Sequence, residues 1–296
     1  MTSDDRRARE GIQVSFEFFP PKTDRTKAAL DETVDRLDAF DPLYYSITYG
    51  AGGSTREPTR ALVDRVHART GRKVAMHLTC VGQTREEIDS LARELWQGGV
   101  RKLVALRGDS PDGGPYRPHP GGYPLAADLV AGLRKVADFE IAVGAYPETH
   151  PDATSDEADL DNLKRKIDAG ASSAITQYAF DTDAVLRFVD RARAAGIDAP
   201  IIPGIMPINN FAKIKRFSEM CGARIQPWLE QMFEGLDDDP ATRDMVAAAV
   251  ATEQCRRLAE AGLTEFHIYT LNKAELSVAI CRALGLTERS ALGRAA

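Results

Sequence analysis

"KVAMHLTCVGQTREEIDSLARELWQGGVRKLVALRG", residues 73–108, contains two short apolar runs with a helical pattern between them. Lys73–Cys80 and Lys102–Gly108 are rich in β-formers. From Thr84 to Gln97, Ile88, Leu91 and Leu95 recur at helical spacing. Strand, helix and strand over about 30 residues make a βαβ unit, whose strands must lie parallel. The same pattern runs along the chain, with β-rich runs beginning at Ile12, Tyr44, Lys73, Lys102, Glu140, Ser173, Ile201 and Phe266. Only the interval from Met206 to Phe266 is longer, and it holds extra helical material. Strict alternation implies a parallel sheet covered on its faces. Eight such units in a chain of 296 residues point to a (β/α)8 barrel. A doubly wound sheet is the competing architecture, and periodicity alone does not separate the two. No linker or composition break divides the chain. The expected organisation is a polar tail over residues 1–11 and one catalytic domain over 12–296.

The bulk composition narrows the function. A formal net charge of −6 argues against a nucleic-acid binder. No apolar run approaches the roughly 20 residues that cross a bilayer. The opening MTSDDRRARE lacks the apolar core of a signal peptide. Cys80, Cys221, Cys255 and Cys281 form no C-x-x-C pair, so they read as free thiols in a reducing cytoplasm.

In a barrel, chemistry belongs at the C-terminal ends of the strands. Polar side chains crowd those positions: Glu17, Thr48, Tyr49, His77, Thr79, Arg107, Asp109, Tyr146, Glu148, His150, Gln177, Tyr269 and Asn272. Glu17 sits in "SFEFFPP" among phenylalanines, where burial is expected to raise its pKa. Strand alternation turns Phe16 and Phe18 away from it, so part of the frame must come from other strands. "LRGD" leads into a long Pro- and Gly-rich loop of the kind that forms lids. In "ADLDNLKRKIDAG" a polar stripe of Asp159, Asn162 and Lys166 recurs along a helix, with Arg165 beside it. A solvated face is the usual meaning of such a stripe. Here the mix of carboxylate, amide and cations near a helix start also suits a ribose and a pyrophosphate. "GAGGST" at residues 50–55 imitates a dinucleotide-binding loop but carries Thr55 where that pattern needs Gly or Ala. No His or Cys spacing signals a metal, and none is expected.

Nine segments occur in register: "SFEFFPPKT", "SITYGAGG", "HLTC", "ALRGD", "AYPETHP", "DLDNLKRKIDAGA", "ITQYAFD", "IIPGIMPI" and "FHIYTLN". Together they closely resemble the bacterial 5,10-methylenetetrahydrofolate reductases over roughly residues 12–286. The resemblance implies a (β/α)8 barrel carrying FAD, which reduces methylenetetrahydrofolate to 5-methyltetrahydrofolate with hydride from NADH or NADPH. It also implies a homo-oligomer, and a chain without the regulatory C-terminal domain of eukaryotic relatives. By position, Glu17 matches the general acid and Asp109 the carboxylate beside the flavin and folate. FAD contacts fall on Thr48, Tyr49, Ala51, His77, Arg107, Gly108, Asp109, Ala126, Tyr146, His150, Asp159, Asn162, Arg165 and Lys166. Folate or nicotinamide contacts fall on Asp109, Gln177, Lys213, Phe217 and Lys273. Two positions depart from the pattern. Lys273 stands where relatives carry Arg, keeping the charge without the bidentate fork. Lys213 stands where relatives often carry Gln.

The implied chemistry gives these residues work. Opening the methylene bridge to an iminium requires a proton on the leaving nitrogen, which is general-acid catalysis. Asp109 would favour hydride donation and stabilise the iminium charge. Three rivals share the scaffold: a flavin-free reductase, a lyase using a lysine Schiff base, and a non-enzymatic folate or flavin binder. The lyase is weakened because the strands carry no obvious interior lysine.

Overall fold

A computed structural model describes residues 11–49, 56–110 and 113–289. The dinucleotide-like loop and Ala51 lie outside the described residues, as does most of the N-terminal tail.

All strand pairs are parallel, with β1 (Gln13–Phe18) between β2 (Tyr45–Ile47) and β9 (Glu265–Tyr269). From β2 the sheet continues through β3 (Val74–Thr79), β4 (Lys102–Leu106), β5 (Glu140–Ala145), β6 (Ser173–Thr176) and β7 (Ile201–Ile202). β8 (Gly204–Ile205) pairs with β9. Pro203 alone separates β7 from β8, so the ring closes through one strand interrupted where proline has no N–H to give. The proline still contributes its carbonyl, which accepts from the His267 amide at 2.9 Å. The seam between β6 and β8 is made largely by side chains. Gly204 N donates to Thr176 Oγ1 at 2.9 Å, and Tyr269 OH donates to Thr176 O at 2.8 Å. A Cβ at Gly204 would sit 2.2 Å from Thr176 O, so glycine is required for this approach. The result is the (β/α)8 barrel read from the sequence.

The eight runs become strands because their alternate residues face two buried environments. On β1, Val14, Phe16 and Phe18 are buried in the layer between barrel and helices, where both rings stack on Tyr45. Ser15 and Glu17 face the barrel axis. That axis is filled by Tyr44, Ala75, Val104, Ala142, Ile175 and Ile202.

The covering helices are α1 (Asp24–Asp38), α2 (Arg56–Thr70), α3 (Arg85–Gln97), α4 (Ala126–Val136), α5 (Asp156–Asp168) and α6 (Thr182–Ala194). α3 begins where its sequence says it should. Thr84 Oγ1 accepts from Glu87 N, and Glu87 Oε2 accepts from Thr84 N, forming a capping box. The long interval before β9 holds α7 (Phe211–Cys221), α8 (Pro227–Phe233) and α9 (Pro240–Glu260), and α10 (Glu275–Ala283) follows β9.

One expectation fails here. Lys102 on β4 is an interior lysine, only 4% exposed, with Nζ 2.5 Å from Glu140 Oε1 and 4.3 Å from the centre of the Tyr44 ring. It stands at the N-terminal end of its strand, the end of the barrel opposite the catalytic rim. Paired to a carboxylate there, it is placed for structure rather than for a Schiff base.

Candidate active site

Two adjoining cavities open at the C-terminal ends of the strands. One, of about 340 Å3, lies over the barrel axis and is lined by Glu17, Thr48, His77, Gln177, Met206 and Tyr269. The other, of about 400 Å3, runs outward between the β4 and β5 loops and α5. It is lined by Thr79, Arg107, Gly108, Asp109, Ala126, His150, Asp159, Asn162, Arg165 and Lys166. Tyr49, Leu106, Gly144 and Tyr146 line both, so the two form one trough.

Glu17 is the floor of the inner cavity. Its Oε2 lies 3.3 Å from His77 Nε2, 3.3 Å from His267 Nε2 and 3.4 Å from Ser46 Oγ. The frame is therefore imidazole and hydroxyl, while the flanking phenyl rings pack on the far side of the strand or reach solvent. This overturns the expected pKa direction. Burial does push the Glu17 carboxyl up, but attraction to the His77 ring and the hydrogen bond with His267 outweigh it, holding the group at about 2. His267 is itself pushed below its ordinary value, first by burial and against the pull of Glu17.

The outer cavity owes its shape to β5 and α5. Ser155 caps α5 by accepting from Ala158 N. Asp159, in the first turn, accepts from the His150 amide at 2.9 Å and so ties the β5 loop to the helix. Thr149, just before His150, is held at φ +69°, an uncommon value for a non-glycine residue that marks a constrained loop. Arg107 bonds Asp152 Oδ2 at 2.7 Å and lies over the Tyr116 ring, 4.5 Å from its centre. Gly108, at φ +82°, turns the chain so that Asp109 follows at the exposed rim.

The α5 stripe is not the solvated face its spacing usually means. Asp159 and Lys166 are buried, Asn162 is half-buried and Arg165 is exposed. Lys166 Nζ donates to Gly144 O at 2.5 Å, and burial pulls its pKa down to about 8. The same environment raises the Tyr146 phenol to about 12 and lowers His150. Thr79 Oγ1 and His77 Nε2 are buried without a hydrogen-bond partner among the described residues, and each lines the trough.

Other expected residues stand elsewhere. Lys213 and Phe217 are exposed on α7 and line neither part of the trough. Lys273 lines a separate cavity of about 300 Å3 at the same rim, together with Arg243 and Ser277. Asn272 is structural, exchanging two hydrogen bonds with the Phe19 backbone at the end of β1. Glu148 accepts from Arg224 N and lines the trough nowhere. The reading of single motifs missed Ser15, Ser46, His267 and Arg243. Parity on the strands could have found two of them, since Ser15 and His267 lie two residues before Glu17 and Tyr269 on the same faces. Among the described residues, no group of three or more His, Cys, Asp or Glu side chains could hold a metal ion. No described helix is long and apolar enough to cross a membrane.

With this geometry established, similarity to known proteins fixes the family. The family model described as methylenetetrahydrofolate reductase matches residues 3–285. The 5,10-methylenetetrahydrofolate reductases of Salmonella typhimurium and Escherichia coli are each 50% identical over 277 residues, covering 93% of this chain and 91% of theirs. The corresponding protein of Buchnera aphidicola subsp. Acyrthosiphon pisum is 44% identical, covering 94% of both chains. A solved structure from Clostridium thermocellum, described as binding two copies of 5-methyl-5,6,7,8-tetrahydrofolic acid, superposes with a TM-score of 0.67 at 16% identity. It covers 96% of this chain and 98% of that one, and shows a shared fold. The chain belongs to the methylenetetrahydrofolate reductase family and reduces methylenetetrahydrofolate.

Proposed function

We propose that the trough carries FAD and that Glu17 is the general acid of a reduction driven by NADH or NADPH. The observation that supports this most is the continuity of the trough. A cation-lined groove leads straight to a half-buried carboxylate at the barrel mouth. Arg107, Arg165 and Lys166 suit a pyrophosphate, and Asp159 and Asn162 suit ribose hydroxyls. The unpartnered Thr79 hydroxyl and the His77 nitrogen fit a polar ring edge laid over the barrel. When bound, FAD would take hydride from the nicotinamide and give it to the folate, so one site serves both substrates in turn.

The chain's own residues have separate tasks. Glu17 delivers the proton to the leaving nitrogen of the methylene bridge. Covering the mouth with aromatic rings strips water from a carboxyl that is 17% exposed, which favours its neutral form at the moment of use. Asp109, on the rim, places negative charge near the cation that forms on ring opening. Gln177 half-lines the mouth, and Phe217 offers an exposed ring for stacking on folate or nicotinamide. The same reading takes residues 12–296 as one catalytic domain behind a polar tail, in a cytoplasmic homo-oligomer. The free thiols fit a reducing compartment. An anaerobic experiment tests the core of the proposal. The purified protein should be yellow or become so on adding FAD. NADH or NADPH should bleach it, and methylenetetrahydrofolate should restore the colour. A protein that binds no FAD yet reduces the folate would overturn the flavin reading.

Two predictions belong here. Asp109→Asn should leave FAD bound and raise its reduction potential, because removing a nearby negative charge favours the reduced anion. A redox titration showing an unchanged or lower potential would remove Asp109 from the flavin's vicinity. The second concerns the folate tail, which carries two carboxylates. Lys273 and Arg243 line one rim cavity with Asp244, 3.7 Å from Arg243 Nε, and Glu275, and the buried Ser277 hydroxyl beside them has no partner among the described residues. A tail carboxylate would have to draw Arg243 from Asp244 to use the bidentate fork that Lys273 lacks. Lys273→Ala and Arg243→Gln should each raise the folate KM by roughly tenfold at nearly constant kcat. An unchanged KM in both variants would place the tail elsewhere.

A further inference from the structure

Glu17 has a second partner layer beneath it. His267 is fully buried on β9, the strand paired to β1 on the side away from β2. Its Nε2 lies 3.3 Å from Glu17 Oε2 and 3.2 Å from Ser46 Oγ. Its Nδ1 lies 2.7 Å from Ser15 Oγ, two residues before Glu17 on the same face of β1. Ser15 Oγ in turn donates to Phe266 O at 3.4 Å. In the tautomer that uses this bond, the Ser15 oxygen accepts from Nδ1, which then carries the hydrogen. Nε2 is then the nitrogen that changes. It donates to Glu17 when the imidazole is protonated, and it accepts from the Glu17 O–H when the imidazole is neutral. Both protonation states of Glu17 are thus satisfied without moving a side chain.

Resting on the reading of Glu17 as the acid, we propose that His267, clamped by Ser15, is a positioning residue that holds the proton Glu17 delivers. The proton moves from His267 Nε2 to Glu17 Oε2, and Glu17 passes one proton to the leaving nitrogen as its bond to the methylene carbon breaks. Hydride from the reduced nicotinamide, directly or through flavin, forms the new C–H bond at that carbon. The proton stays on the folate nitrogen, so each turnover consumes one. Water replaces it on the Glu17–His267 pair when the product leaves the mouth. The groups facing this pair are Ser15 from β1, Tyr44 and Ser46 from the β2 segment, His77 from β3, Lys102 from β4 and Tyr269 from β9. Lys102 is already neutralised by Glu140. His77 faces the same carboxylate oxygen, but its Nε2 makes no aligned hydrogen bond. Burial pushes the His267 proton off while Glu17 pulls it back, so the proton belongs to the pair and moves to the carboxylate only when the mouth is covered.

The test is single-turnover reduction of methylenetetrahydrofolate by the holoenzyme across pH, in wild type, His267→Gln and Ser15→Ala. Glutamine keeps a donor to Glu17 but cannot titrate. Its profile should lose rate at a pH lower by at least about one unit, and so be about tenfold slower near neutrality. The folate KM and the reduction of the enzyme by nicotinamide should not change. Ser15→Ala should move the profile the same way by less. Nitrogen-15 NMR of labelled wild type should show the His267 Nδ1 protonated throughout while Nε2 titrates. A glutamine variant with the wild-type profile overturns the proposal, as does an Nδ1 that lacks its proton. If His267→Gln does not fold, Ser15→Ala and the NMR decide by the same criteria. Failure of the underlying reading looks different: Glu17→Gln would then retain folate reduction. A dead Glu17→Gln beside an unmoved His267→Gln profile sinks only the role of His267.

Discussion

Glu17→Gln should slow reduction of methylenetetrahydrofolate by about a hundredfold or more, the usual contribution of a positioned acid, while sparing reduction of the enzyme by nicotinamide. Glutamine is nearly isosteric and can still accept from Ser46 and the histidines, so the floor of the cavity should survive the change. What it lacks is a transferable proton. Only the folate half-reaction needs one, because hydride transfer from nicotinamide opens no ring. Stopped-flow traces of the two half-reactions separate the possibilities. Equal losses in both would mean that Glu17 supports the site rather than acts in it. The substitution has a second consequence, in stability. The Glu17 carboxyl is held at about 2 against an ordinary value of 4.5. Its contacts therefore stabilise the fold above about pH 4.5, and that contribution is lost as the pH falls from there to about 2. Acid unfolding of Glu17→Gln should lack this limb.

The barrel was legible because its signals are local. Eight apolar runs, a capping box at Thr84 and Glu87, and a terminal glycine after α5 each state their own structure within a few residues. The break at Pro203 was legible only as a proline. Its role in closing the ring depends on His267 and Thr176, far away in sequence. The site was legible as a set of strand-end residues, since the topology carries strand ends to one rim. The environment of each residue was not. Glu17 reads as a carboxylate among phenyl rings because Phe16 and Phe18 are its chain neighbours, yet alternation sends them outward and brings in His77 and His267 from other strands. Lys102 was overlooked for the mirror-image reason. It opens a strand, and a lysine there reads as solvent-facing until Glu140 and Tyr44 are found beside it.

Lys166 shows how such an environment changes what a substitution should do. A lysine on a solvated stripe could be removed from the ligand-free protein without consequence. This one is 4% exposed, and its pKa is pulled from 10.5 to about 8 by burial, partly opposed by Asp159. Below about pH 8 the folded protein therefore holds a charge it would rather shed. The fall from 10.5 to about 8 corresponds to roughly 3 kcal/mol of destabilisation, an order-of-magnitude figure. The ligand-free protein should accordingly gain stability as the pH rises from about 8 to 10.5. A pyrophosphate in the outer cavity would hold the ammonium charged and erase that gain. Lys166→Met keeps the stem packed, whereas Lys166→Ala adds a cavity that confuses the comparison. Methionine removes the buried charge but also the bond to Gly144 O, worth about 1 kcal/mol. Near neutral pH the ligand-free variant should thus melt no lower than wild type. With excess FAD that advantage should shrink by about 1.4 kcal/mol for each tenfold loss in Kd, and it should reverse once the loss exceeds roughly thirtyfold. Thermal melts of both proteins, with and without FAD, at pH 7 and pH 10, give all the comparisons. A variant that loses as much stability without FAD as with it would make Lys166 a structural lysine and take α5 out of the cofactor site.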